Sequence, residues 1–140
     1  MKKWIEVAII AVLLFSVVQF FNGGTELPTM YANRPTLVDA LEASKSDGKP
    51  AIVLYTADWC GPCSRLKSRA MRDERVIKAF TNTHPALMDC TTGHPPDDPF
   101  NVESYPTLVA VRDGKETARV SGNMSAEELV DWLEFVINPK

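Results

Sequence analysis

Residues 51–63 read Ala-Ile-Val-Leu-Tyr-Thr-Ala-Asp-Trp-Cys-Gly-Pro-Cys, so an apolar run leads directly to two closely spaced cysteines. The run 51–57 is rich in aliphatic and β-branched residues, a pattern typical of a strand buried on both faces of a helix-covered sheet. Asp58 and Trp59 follow, and we expect a helix to begin at Cys60. A cysteine pair placed between a strand and a helix indicates redox chemistry.

The two cysteines have different expected roles. Cys60 and Cys63 are three positions apart, so at a helix start they lie on one face and within disulfide distance. Free backbone N–H groups and the helix dipole favour the thiolate of Cys60, which is therefore the expected nucleophile. Cys63 lies further into the helix and is expected to resolve the mixed disulfide. Gly61 permits the tight turn, Pro62 suits an early helical position, and Trp59 is expected to form an apolar platform beside the attacking sulfur.

A Cys-x-x-Cys pair can also be half of a zinc site. The other ligands would come from Cys90, His84 and His94, whose spacing matches no familiar zinc finger. We therefore predict neither a metal nor a cofactor. Cys90 is expected to be a small core residue at a strand end, with mixed-disulfide formation as the alternative. Both histidines are expected to be solvated.

The rest of the chain predicts alternating helices and strands. Thr36 is placed to cap a helix, residues 125–128 form a capping box, and Asp113-Gly114 fits a hairpin turn. Asp73 is placed to interrupt the helix that follows the cysteines. The expected elements are helices at 36–46, 60–80 with a break near Asp73, and 125–137, a helical turn at 100–104, and strands at 51–57, 86–90, 107–111 and 116–120.

Three segments carry a resemblance to a known family. Residues 57–63 resemble the active-site segment of thioredoxins, and residues 104–107, Ser-Tyr-Pro-Thr, resemble the family's cis-proline segment. Residues 72–76 are more similar to the exported thioredoxin-like domain of membrane disulfide reductases. The resemblance covers residues 35–137 and implies an α/β thioredoxin fold, in which a central mixed sheet is flanked by helices.

The resemblance also implies a substrate-binding segment made of Tyr105, Pro106 and Thr107. Pro106 would be cis and would stand against the disulfide, while the backbone of Tyr105 would pair with an extended substrate strand. One position departs from the family, because Leu54 stands where thioredoxins usually bury an aspartate beneath the second cysteine. Asp58 either substitutes for that acid in part or is a solvated loop residue. We predict that the resolving cysteine deprotonates slowly at neutral pH.

The N-terminus predicts a membrane segment. Lys2-Lys3 precede residues 4–21, which are apolar apart from three polar residues. As a helix this run is about 27 Å long, close to the roughly 30 Å hydrocarbon core of a bilayer. We expect a single-pass anchor in the inner or plasma membrane, with the lysines in the cytoplasm and the domain on the periplasmic or extracellular side. A cleaved signal peptide, which would leave a soluble exported domain, is the alternative.

These features predict an anchor at residues 1–21, a linker at 22–34 and a thioredoxin-like domain at 35–140. The 140 residues carry a net charge of −3 and no basic run interleaved with aromatic residues, so we expect no nucleic-acid partner. The predicted function is a membrane-anchored thiol–disulfide oxidoreductase that reduces or exchanges disulfides in exported proteins. A reductase would need a transmembrane electron donor. The alternatives are an oxidase or isomerase, a non-catalytic binding protein, and a cytochrome or metal-site assembly factor.

Overall fold

The order of helices and strands agrees with the prediction except at residues 100–104, where the expected helical turn is absent from the described chain. The computed structural model describes residues 1–22 and 26–140. Its helices are α1 (Lys2–Asn22), α2 (Leu37–Asp47), α3 (Gly61–Ser68), α4 (Glu74–Phe80) and α5 (Ala126–Ile137). Its strands are β1 (Ala51–Thr56), β2 (His84–Asp89), β3 (Thr107–Arg112) and β4 (Lys115–Ser121), and single 3-10 turns cover Thr29–Tyr31 and Ala70–Arg72.

The strands of the described residues form one mixed sheet in the order β2-β1-β3-β4. Strand β1 is parallel to β2 and antiparallel to β3, which is in turn antiparallel to β4. Every residue of β1 is buried, as expected for a central strand covered by helices. The predicted mixed sheet flanked by helices is therefore confirmed. The carboxyl ends of β1 and β2 and the start of β3 meet at one edge of the sheet.

Alternating side chains of β1 face two separate apolar layers. Ile52 and Leu54 belong to the cluster that includes residues of α3, α4 and α5. Val53 and Tyr55 belong to the cluster on the opposite face, which includes residues of α2 and of the loop before β3. Because successive strand residues point to opposite faces, one six-residue strand organises both halves of the core.

Local signals at the element ends are confirmed. The side chain of Thr36 accepts the backbone N–H of Asp39 at the start of α2, and Asp73 caps α4 after the predicted break. Ser125 and Glu128 form both bonds of the capping box. The residues Asp113-Gly114 have φ angles of 50° and 74°, as the mirror-image turn of a tight hairpin requires.

The helical turn expected at residues 100–104 is wrong. This segment forms turns and bends without a regular helix. The Asp98 carboxylate accepts the backbone N–H groups of Phe100 and Val102, so a side chain takes the place of the helical carbonyl acceptors. Asn101 has a φ of 49°, in the left-handed region, which also ends any right-handed turn.

The N-terminal region contains α1 and a short packed segment. Helix α1 agrees with the predicted apolar helix, and its large apolar side chains between Trp4 and Phe15 are exposed. Within the part of the chain that the structure describes, no helix is both long and apolar enough to cross a membrane. Residues 23–25 of the predicted linker lie outside the described residues. Later in that linker Tyr31 is fully buried, edge-on to Phe80 at 5.7 Å between ring centroids.

Candidate active site

The two cysteines of the predicted redox motif are joined at the start of α3. Cys60 and Cys63 form a disulfide with their Cα atoms 5.3 Å apart. Cys60 is the N-cap residue, and its Sγ accepts the backbone N–H of Cys63 at 3.2 Å. Pro62 lies in the first turn of the helix, where a missing N–H costs nothing. The chain reaches this turn directly from the buried strand β1, which gives the pair a rigid base.

Burial differs between the two sulfur-bearing residues. Cys60 is 6% exposed and Cys63 is fully buried. Only Cys60 is therefore accessible to a partner. The backbone N–H of Cys63 points at the sulfur of Cys60. In the reduced pair that N–H and the helix dipole would stabilise a thiolate on Cys60. The geometry suits attack by Cys60 and resolution by Cys63.

Two neighbours of the pair are held by the loop that follows β2. Trp59 is 66% exposed, and its indole N–H donates to the carbonyl of Thr91 at 3.0 Å. The backbone N–H of Asp58 donates to the hydroxyl of Thr91 at 2.9 Å, while the Asp58 side chain is exposed. Trp59 thus forms an outward-facing apolar wall beside the disulfide, whereas Asp58 contributes its backbone to the attachment of the loop. Gly61 is exposed at the rim.

The predicted substrate-binding segment lies against the pair. The Tyr105–Pro106 peptide bond is cis, the geometry that the resemblance to thioredoxins implies. The half-buried Tyr105 packs against the cluster that contains both active-site cysteines. Thr107 is buried, and its hydroxyl bonds to the carbonyl of Ser104 and the hydroxyl of Ser121. The side chain of Thr107 therefore links β3 to β4. Any contribution of Thr107 to substrate binding would come from its backbone groups.

The position of the usual buried acid is fully apolar. Leu54 is buried between its neighbours Leu87 on β2 and Leu108 on β3. It packs in the same cluster as Leu66 of α3. Among the described residues, no aspartate or glutamate is buried as a whole residue, and the enclosed side chain of Asp98 bonds to Tyr55, whose cluster lies on the opposite face of the sheet from Leu54. No acid in the core therefore replaces the aspartate that thioredoxins usually bury at the position of Leu54.

A hydrogen-bonded cluster beside the site was not predicted. His94 Nδ1 lies 2.8 Å from the Tyr105 hydroxyl, and His94 Nε2 lies 3.0 Å from Asp98 Oδ2. The hydroxyl of Tyr55 donates to Asp98 Oδ1 at 2.5 Å. His94 is exposed, as expected, but both of its ring nitrogens also have side-chain partners, which the sequence did not predict. The sequence feature that could have predicted this cluster is the His-x-x-x-Asp spacing of residues 94 and 98. This spacing is weak evidence in a proline-rich loop, where no helix is expected to bring the two side chains together.

The cluster favours a charged carboxylate and protonated tyrosines. Burial alone would raise the pKa of Asp98, but hydrogen bonds from Tyr55, from the amides of Val102 and Phe100, and from His94 together lower it. Burial and the nearby Cys90 raise the pKa of Tyr105 to about 12. The Tyr105 hydroxyl therefore keeps its proton at neutral pH and is able to donate a hydrogen bond.

Cys90 and His84 have no arrangement that suits metal binding. Cys90 is a free, buried thiol whose pKa is raised, chiefly by burial, and its Sγ lies 3.9 Å from His94 Nδ1. His84 lies at the opposite end of the sheet, where its Nε2 is 2.9 Å from Asp47. No group of three or more potential metal ligands occurs among the residues that the structure describes.

Known proteins share both the fold and the sequence pattern. The family model described as "Thioredoxin" matches residues 33–135. Chloroplastic thioredoxin Y1 of Arabidopsis thaliana is 24% identical over 90% of this chain and 78% of its own length. The thiol:disulfide interchange protein DsbD of Campylobacter jejuni is 29% identical over 64% of this chain, which spans only 17% of DsbD. The reduced C-terminal domain of Neisseria meningitidis DsbD has a TM-score of 0.58 at 22% identity and covers 70% of this chain and 91% of that domain.

Proposed function

Because this chain belongs to the thioredoxin family and is a thiol–disulfide oxidoreductase of that type, we propose that it reduces or exchanges disulfides in exported proteins. The observation that carries the proposal is the unequal burial of the Cys60–Cys63 pair at the start of α3. A partner disulfide can approach the side of Cys60 that faces Trp59 and Tyr105, while Cys63 remains beneath.

The proposed reaction moves two electrons in two exchange steps. The Cys60 thiolate attacks one sulfur of the substrate disulfide, forms a mixed disulfide and releases the other substrate sulfur as a thiolate. The Cys63 thiolate then attacks Cys60 Sγ, which breaks the mixed disulfide and releases the second substrate thiolate. Substrate is reduced and the Cys60–Cys63 pair is oxidised. A separate dithiol donor must then return the pair to its reduced form.

Insulin provides a direct test of this activity. The purified full chain, with dithiothreitol as the electron source, is expected to reduce insulin disulfides, and Cys60→Ser is expected to abolish that catalysis. Cys90→Ser is the matched control because it removes a buried thiol outside the pair. Equal rates for the full chain and Cys60→Ser would contradict the proposal.

We further propose that the pair works as a reductant. Gly61 and Pro62 stand between the cysteines as in strongly reducing thioredoxins. The relative named as a thiol:disulfide interchange protein supports exchange chemistry. In an oxidising exported compartment the pair would need a transmembrane electron donor. A measured potential near about −270 mV supports a reductase, whereas a value near about −120 mV would assign an oxidase instead.

Substrates can be identified by stopping the reaction halfway. Cys63→Ala removes the resolving thiol, so mixed disulfides between Cys60 and its substrates are expected to accumulate. Mass spectrometry of the trapped adducts would name the substrates. Cys60→Ala, which removes the attacking thiol, is the control and is expected to trap none of them.

The N-terminal helix is proposed to anchor the domain in a membrane, with the domain on the exported side. The proposal is supported by Lys2-Lys3 at its start and by nine large apolar side chains, from Trp4 to Phe15, that are each more than half exposed. Such a surface is unfavourable in water. A cleaved signal segment is the alternative, and the mass of the mature protein separates the two.

Membrane anchoring can be tested by fractionation of the full chain expressed in a bacterium. The protein is expected to stay in the membrane pellet after washing with alkaline carbonate, and its domain is expected to be digested by protease added to spheroplasts. Val12→Arg is expected to weaken membrane retention, because an arginine at the centre of a membrane helix costs about 2.5–3.5 kcal/mol. Val38→Arg, at an exposed valine of α2, is the control. Recovery of the uncleaved chain in the soluble fraction would contradict the anchor.

A further inference from the structure

We propose that His94 is a positioning residue for substrate binding. Together with Asp98 it holds the side chain of Tyr105 beside the Cys60–Cys63 pair, so that the loop 91–102 determines the surface on which a polypeptide docks. This inference rests on the proposed function and adds to it a determinant of substrate recognition that lies outside the redox motif.

A chain of hydrogen bonds leads from the buried carboxylate to the docking surface. The Asp98 side chain is 2% exposed and accepts from the backbone of Phe100 and Val102 as well as from Tyr55 and His94. A charged Asp98 only accepts hydrogen bonds, so His94 Nε2 carries the proton that it donates. In the tautomer that carries its proton on Nε2 alone, Nδ1 accepts the Tyr105 hydroxyl at 2.8 Å.

Two aromatic rings also lie nearly parallel to the imidazole ring. The ring of Tyr55 lies 6.2 Å from that of His94 with an interplanar angle of 15°. The ring of Tyr105 lies 6.3 Å away at 18°. Tyr55 is fully buried in β1, so the histidine connects a loop residue to the most rigid strand of the sheet. The orientation of Tyr105 is therefore restrained at its hydroxyl by His94 and at its ring by the cysteine cluster and Trp59.

Tyr105 is the link between this cluster and the reacting sulfurs. Its ring packs against Cys60 and Cys63 and meets Trp59 edge-on at 5.9 Å. Trp59 is bonded to the carbonyl of Thr91, so one loop holds both aromatic walls of the docking surface. Without the imidazole, the Tyr105 hydroxyl loses its partner at Nδ1. A substrate would then have to order this side chain as it binds, which lowers affinity.

The kinetics of the full chain test this role. His94→Ala is expected to raise KM for insulin by roughly five- to tenfold, the effect of losing about one hydrogen bond, while kcat stays within about twofold. The rate with 5,5′-dithiobis(2-nitrobenzoate) is expected to stay unchanged, because this small disulfide does not need the docking surface. A general loss of structure would instead lower both activities together.

Two further variants make the test specific. His84→Ala removes the other histidine, which also bonds to an aspartate at 2.9 Å but lies at the opposite end of the sheet, and it is expected to leave both activities unchanged. Tyr105→Phe keeps the ring, removes the hydroxyl and is expected to raise KM for insulin as His94→Ala does. The double variant is expected to be no worse than either single one, since both break the same bond.

The outcomes separate this inference from the function on which it rests. Absence of insulin reduction by the unaltered chain would overturn the proposed function and this inference with it. An active chain whose KM is unchanged in His94→Ala or in Tyr105→Phe would overturn the positioning role alone. Fully additive effects in the double variant would also overturn it. Should His94→Ala fail to fold, Tyr105→Phe alone decides the question.

Discussion

At the scale of single residues, Asp98 combines burial with charge. Burial opposes ionisation, yet hydrogen bonds from four groups more than compensate and keep the pKa of this carboxyl below its usual range. A lowered folded-state pKa means that the ionised form adds stability above the pKa of the unfolded chain. That contribution disappears as the pH falls through the folded-state value.

Asp98→Asn is therefore expected to lower the free energy of unfolding by about 1–3 kcal/mol at pH 7, because an amide cannot accept all of these bonds. The difference from the unaltered chain is expected to shrink below about pH 4, where unfolded aspartate becomes protonated. Urea denaturation at pH 7 and pH 3 measures both values. Asp97→Asn, at the exposed neighbouring residue, is the control, and a pH-independent difference for Asp98→Asn would contradict the expectation.

Cys90 is a second residue whose surroundings determine its pKa and its expected role. Its thiol is buried and its pKa is raised, chiefly by that burial, and its polar neighbours include the Met88 carbonyl, His94 and Tyr105. We expect Cys90→Ser to leave insulin reduction within about twofold of the unaltered chain, because a buried thiol of raised pKa is a poor nucleophile. Loss of turnover in a correctly folded Cys90→Ser variant would instead give this thiol a part in the redox cycle.

At the scale of secondary-structure elements, α5 illustrates how a helix end is secured. Ser125 accepts the backbone N–H of Glu128, and the Glu128 carboxylate accepts the backbone N–H of Ser125. The helix then buries Leu129, Leu133 and Val136 against the sheet. Its position in the core thus depends on both local capping and apolar packing.

Removing the cap is expected to weaken this element without changing the site. Ser125→Ala is expected to lower the free energy of unfolding by about 1 kcal/mol, measured by chemical denaturation, with insulin reduction unchanged. Ser104→Ala, at an exposed serine outside any helix, is the control and is expected to have little effect on stability. Equal stabilities for Ser125→Ala and the unaltered chain would show that packing alone holds α5.

At the scale of the whole molecule, the segment before α2 is part of the folded unit. Tyr31 precedes the residues matched by the family model, yet it is fully buried in the core shared by α3, α4 and α5. Its hydroxyl donates to the carbonyl of Ile52 at 3.4 Å, and Arg72 pairs with Glu26 at 3.2 Å. The predicted tether therefore ends in a segment that is packed against the domain.

Tyr31→Ala is expected to lower the free energy of unfolding by about 3 kcal/mol or more, the usual effect of removing a large buried aromatic side chain. Thermal and chemical denaturation of the full chain measure it. Thr29→Ala, in the same 3-10 turn but exposed, is the control and is expected to have little effect. If both variants had the same small effect, the segment would be attached only loosely.

Much of the fold and the redox pair could be predicted from the sequence. The Cys-x-x-Cys pair, the caps at Thr36 and Asp73 and the Asp113-Gly114 turn each depend on residues a few positions apart, so their geometry is encoded locally. The alternation of β1 side chains between the two faces of the sheet follows from strand geometry in the same way. These features determined the order of the elements and the position of the cysteines at a helix start.

What only the tertiary structure decided depends on residues that are distant in sequence. The cluster at His94 requires Tyr55, Asp98 and Tyr105 to meet, and Tyr55 is 43 positions from Asp98. The same carboxylate prevented the helical turn expected at residues 100–104. Burial of Tyr31 likewise required its contact with Phe80. No local pattern signals such contacts, because their free energy comes from packing and desolvation that exist only once the sheet and helices have assembled.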